Sequence, residues 1–131
     1  MSRYGVYAPQ PRTLVSFTSM EISHSEIAPG TVVVTLAGKV MLGSESEQIT
    51  DLVSEVLRDG KRTIIFNIAG VTAIDSTGMG RFISSYNKIA AVGGQMRMAG
   101  AAHYLFKAFH VSRLDTVFRF YPSVEEACQA G

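Results

Sequence analysis

The run Thr63-Ile64-Ile65-Phe66-Asn67-Ile68 limits the possible folds of this chain more than any other stretch. It is apolar at nearly every position and rich in β-branched residues. It therefore reads as a strand buried on both faces. Helical patterns stand on either side of it in the sequence. Ahead of it, Ile49, Leu52, Val53, Val56 and Leu57 recur on one helix face. Ser44 and Glu47 have the S-x-x-E spacing of a capping box at its start, and Asp59-Gly60 supplies its stop. Behind the strand, Met79, Phe82, Ile83, Tyr86 and Ala90 form a second stripe that Gly93-Gly94 ends.

The rest of the chain completes the alternation. Residues 20–27 and 31–36 read as two strands joined by the turn Ala28-Pro29-Gly30, an antiparallel hairpin. Gln95–Ala99 and residues 118–121 are further strands, with a short helix over 102–109 between them. Ser123 and Glu126 repeat the capping-box spacing before a short terminal helix. The order is β-β-α-β-α-β-α-β-α. Strands separated by helices imply right-handed crossovers and a mixed, mostly parallel sheet of four to five strands, hence an α/β fold. Ile49, Leu52, Val56, Phe82, Ile83 and Tyr86 are expected to face that sheet. Residues 1–19, interrupted by Pro9 and Pro11, read as an N-terminal extension, and 20–131 as one domain.

Composition excludes several functions. The net charge of +1 offers no basic field for a polyanion, so nucleic acid is not an expected partner. No apolar run is long enough to cross a bilayer, and the N-terminus has no apolar signal core. The single cysteine, Cys128, has no disulfide partner. A cytoplasmic location is expected. His24, His103 and His110 lack metal-ligand spacing and read as surface or capping residues. Gly-x-Ser-x-Gly and Walker A patterns are absent, and the lone Asp75 cannot form a carboxylate dyad. No catalytic residue, metal or cofactor is expected. Arg97, Lys107, Arg113 and Arg119 read as a solvated face, and Met79, Met96 and Met98 as core filler.

The segment with functional content is Asp75-Ser76-Thr77-Gly78-Met79-Gly80, which leaves a buried strand and opens a helix. A helix start carries free N–H groups and partial positive charge, so a phosphate on a hydroxyl there is tolerated. Gly78 and Gly80 would let another protein approach the backbone. The same residues also read as a plain N-cap, with glycine for packing against the sheet. On the second helix, Arg81, Ser84, Ser85 and Lys88 are expected surface contacts.

This segment resembles the Asp-Ser-Ser-Gly-Leu-Gly signature of the STAS family, the sulfate transporter and anti-sigma factor antagonist domains. The resemblance extends from near Met20 to the C-terminus. It takes in the strand ending at Gly38, the 63–68 strand, the Gly93-Gly94 turn and the 102–109 helix. Met41 and Asn67 stand where family members often carry aspartate.

The resemblance implies an anti-sigma factor antagonist, a phosphoprotein in transcription regulation rather than an enzyme. Ser76 is the implied phosphoacceptor, with Thr77 secondary. Asp75, Ser76, Thr77, Gly78 and Met79 lie in the implied partner-binding surface. The implied partners are an anti-sigma factor that is also a serine kinase, which holds the ATP, and a serine phosphatase. The alternative is an unphosphorylated STAS adaptor subunit of a membrane transporter or a larger signalling assembly.

Overall fold

The computed structural model describes residues 20–130, so the expected extension 1–19 lies outside the described residues. The elements are β1 Met20–Ala28, β2 Thr31–Val40, α1 Ser44–Arg58, β3 Thr63–Ile74, α2 Ser76–Ala91, β4 Gln95–Ala99, α3 His103–Val111, a 3-10 turn Leu114–Thr116, β5 Arg119–Tyr121 and α4 Val124–Gln129. They form one five-stranded sheet in the order β1-β2-β3-β4-β5. β1 and β2 are antiparallel and every other pair is parallel. The fold is the expected mixed α/β arrangement.

The alternation of side chains along each strand separates two cores. Val32, Val34, Leu36, Ile64, Phe66, Ile68, Met96 and Met98 face α1, α2 and α3, whose Ile49, Val53, Val56, Phe82, Ile89, Leu105 and Phe109 complete the larger core. Val33, Ile65 and Ala99 face the other way and meet Ala127 of α4. The 63–68 run is thus covered on both faces, as its composition requires. Leu52 and Tyr86 are partly buried against the larger core.

Several expectations are corrected. β2 and β3 run on past Leu36 and Ile68 to Val40 and Ile74. Gly38 reads as a strand end, but it and Gly70 both lie within the paired strands, where the register shifts between Thr35 and Ala37 and again between Gly38 and Lys39. At Gly70 a Cβ would come within 3.1 Å of Ala37 Cβ, so glycine permits the close approach.

The Ser44–Glu47 capping box does not form. Gly43 occupies the N-cap position at φ 137°, which leaves Ser44 as the first helical residue with no side-chain cap. At α4 the Ser123 hydroxyl does cap, accepting from Glu126 N–H at 3.1 Å. Ile83 is 40% exposed and Ala90 is also exposed, while Ile89 and Ser85 are buried in their place. The inward stripe of α2 is Gly78, Phe82, Ser85 and Ile89. Arg97, expected on a solvated face, is only 4% exposed.

Candidate functional site

The extension of β2 and β3 beyond β4 builds the site. Val40 and Ile74 are paired at its tip, one residue before Asp75. Asp75 is extended (φ −115°, ψ −175°) and caps α2. Its Oδ1 accepts from Gly78 N–H at 2.8 Å, and its Oδ2 accepts from Leu42 N–H at 2.9 Å. One carboxylate thus joins the start of α2 to the loop leaving β2. These N–H donors, Gly78 first and Leu42 second, hold the carboxyl below its ordinary range. Gly78 is buried, and a Cβ there would collide with the Val40 carbonyl. Its role is packing against β2, and the expected openness belongs to Gly80, where a Cβ would meet nothing within 4 Å.

Ser76 is the first residue of α2 and is exposed. Thr77 and Met79 are half-buried beside it. Asn67 lies farther back on β3, and its Oδ1 accepts from Ala69 N–H at 3.2 Å. The helix residues expected as contacts separate into different roles. Lys88 is exposed and Ser84 is half-buried. Ser85 is buried and its hydroxyl donates to the Arg81 carbonyl at 2.8 Å, so it lies on no surface. Arg81 turns towards α1. Its Nε donates to Ser46 Oγ at 2.9 Å, its Nη2 donates to the Gly43 carbonyl at 3.3 Å, and Glu47 Oε2 lies 3.9 Å away.

The surface around Ser76 also contains residues that sequence reasoning missed. A shallow groove of about 500 Å³ runs between the start of α2 and α3, lined by Ile74, Ser76, Met79, Tyr104, Lys107 and Val111. Val111 is 73% exposed, and Leu42, held through its backbone by Asp75, is 78% exposed. Tyr104 Oη donates to the Val71 carbonyl at 2.9 Å, which fixes α3 against the end of β3. Tyr104, Ala108 and Val111 have i, i+4, i+7 spacing, a second apolar stripe that could have been read in the sequence. Among the described residues, no group of His, Cys, Asp and Glu could hold a metal ion, and no helix is long and apolar enough to cross a membrane.

Comparison with known proteins agrees with the fold. The family model of the STAS domain matches residues 24–127. The phosphorylated form of the Bacillus cell fate determinant SpoIIAA is 25% identical, with a TM-score of 0.67 over 83% of this chain and 97% of that one. An anti-sigma factor antagonist from Mycobacterium paratuberculosis is 19% identical, with a TM-score of 0.73 over 89% of this chain and 97% of that one. A sulfate transporter family protein from Wolinella succinogenes is 17% identical, with a TM-score of 0.63 over 79% of this chain and 85% of that one.

Proposed function

The chain belongs to the STAS domain family, and from that premise we propose that it is an anti-sigma factor antagonist of the cytoplasm, controlled by phosphorylation of Ser76. The observation that carries the reading is the position of Ser76. It is the exposed first residue of α2, in a turn held by both oxygens of Asp75. A solved relative of the same fold is a phosphorylated cell fate determinant. The exposed Tyr104 and Val111 in the groove with Ser76, and Leu42 bonded to the adjoining Asp75, supply apolar area for a protein partner.

In this reading the unphosphorylated domain binds an anti-sigma factor that is also a serine kinase. The Ser76 hydroxyl oxygen attacks the γ-phosphorus of ATP held by that partner. The new O–P bond forms as the bond to the β-phosphate oxygen breaks. ADP leaves, and the hydroxyl proton passes to a base on the partner. The product carries nearly two negative charges inside the contact surface. Asp75 stands beside them, so repulsion and desolvation drive the partner away. A serine phosphatase restores the hydroxyl. The chain itself acts as a binding protein and substrate, with no catalysis of its own.

Calorimetric titration of purified anti-sigma partner tests the switch. Ser76→Ala keeps affinity and accepts no phosphate. Ser76→Asp keeps the fold, because a negative charge at a helix start stabilises by about 0.3–1 kcal/mol. The same charge desolvated in an interface costs several kcal/mol, so affinity falls at least about tenfold. Equal binding by wild-type, Ser76→Asp and phosphorylated protein would remove Ser76 as the switch and favour a constitutive adaptor.

A further inference from the structure

We propose that the cleft where β4 and β5 meet the C-terminal ends of α2 and α4 binds the phosphate group of a small phosphate monoester, between Arg97 and Arg119. The two arginines are register partners on adjacent parallel strands, so they rise from the same face of the sheet. Like charges placed directly opposite one another are destabilising. Among the described residues, neither guanidinium is ion-paired with a carboxylate. Arg97 Nη1 donates to the Ala127 carbonyl at 2.8 Å and Nη2 to Gln95 Oε1 at 2.6 Å, both neutral acceptors. Its Nε is buried and has no partner among the described residues. Buried charges in folded proteins are paired, and among the described residues this one has no counter-charge. A helix C-terminus offers at most about half an elementary charge, too little to balance two guanidiniums.

Both arginines line a cleft of about 310 Å³, together with Tyr121. That volume sits at the lower end of small-molecule sites. Two adjacent positive charges match a dianion better than a monoanion. A phosphate monoester is close to doubly charged near neutral pH, and guanidinium forks match its oxygens. Tyr86, Ile89 and Val117 form an apolar wall of the same cleft, suited to the carbon part of an ester. Ala90 lines this cleft near the end of α2, whereas Ser76 opens that helix. At 1.5 Å per residue the two sites are roughly 20 Å apart. The cleft therefore stands independently of the phosphorylation loop.

Nitrogen-correlated NMR of the full chain, observing the arginine Nε–H groups, tests the site. Inorganic phosphate and phenyl phosphate are the probes, at constant ionic strength with chloride as reference. The expected result is a saturable shift at Arg97 and Arg119, with phenyl phosphate binding more tightly. Arg119 is exposed, so Arg119→Gln keeps the melting temperature and weakens binding about tenfold or more, and Arg119→Lys retains part of the affinity. Three results would each overturn the site: no saturable shift with either probe, equal shifts in chloride, or unchanged binding by Arg119→Gln. Arg97 would then serve only to tie α4 to the sheet.

Discussion

Asp75 does at one residue what the whole site depends on. Its two oxygens serve different segments, the first turn of α2 and the loop after β2. The capping half was legible, because Asp-Ser-Thr before an apolar stripe is N-cap chemistry. The bond to Leu42 was not, since 33 residues separate the partners. The depressed pKa makes this a pH-dependent element. A carboxyl whose folded pKa lies below its unfolded value contributes stability above the unfolded value and loses it as pH falls through the folded one. Asp75→Asn keeps an acceptor for Gly78 N–H but sets an amide donor against Leu42 N–H. The expected outcome is a melting temperature lowered by about 5 °C at neutral pH, with the gap to wild type narrowing from about pH 5 downwards. Melts across that range check it. A gap that stays constant would mean the carboxylate is not held by these bonds.

At the scale of the element, the face that α2 turns inward is chosen by a glycine. Counting apolar residues places Ile83 and Ala90 inside, alongside the Met79, Phe82 and Tyr86 that do pack on the core. Contact between Gly78 and the Val40 carbonyl rotates the helix so that Phe82, Ser85 and Ile89 point inward. Hydrophobic periodicity weighs side-chain size and cannot register the absence of one. Gly78→Ala forces a methyl group into the backbone of β2. It is expected to destabilise by at least about 2 kcal/mol, the upper part of the range for overpacked sites. Gly80→Ala meets open space in an exposed helix turn and is expected to stabilise by about 0.5–1 kcal/mol. Urea denaturation of the pair measures both. Two losses of equal size would show that glycine is needed here for backbone freedom, not for packing.

Across the whole molecule, α2, α3 and the sheet meet on a chain of aromatic rings. Phe82 of α2 packs edge-on to Phe66 of β3 at 5.2 Å and to Phe109 of α3 at 5.8 Å. Phe109 continues to Phe118 and Phe120 at 6.1 and 5.2 Å. Phe82 therefore links the helix that presents Ser76 to the helix that presents Tyr104 and Val111. Phe82→Ala is expected to cost about 3–5 kcal/mol, a large part of the 5–15 typical of a domain. Phe82→Leu is expected to cost less. Partner affinity should fall in step with disorder between α2 and α3. Calorimetric melting and amide exchange at 103–111 check this. Unchanged exchange in α3 would mean that the two helices hold their positions independently.

The order of elements, the single sheet and the doubly covered central strand follow from the sequence by itself. Each depends on near-neighbour periodicity and on glycine and proline at turns, which act over a few residues. The position of Ser76 at a helix start was legible for the same reason. Tertiary structure alone decided how far β2 and β3 extend, because pairing across the two strands outweighs the local cost of Gly38 and Gly70. It decided that Gly43 rather than Ser44 stands at the N-cap of α1. It also buried Arg97, whose charge marks it as a surface residue until α4 folds over it. The exposed Leu42 acquired its place beside Asp75 in the same way, through a bond between distant segments. Contacts between residues far apart in the chain leave no periodic trace in it, so they become visible only when the sheet brings them together.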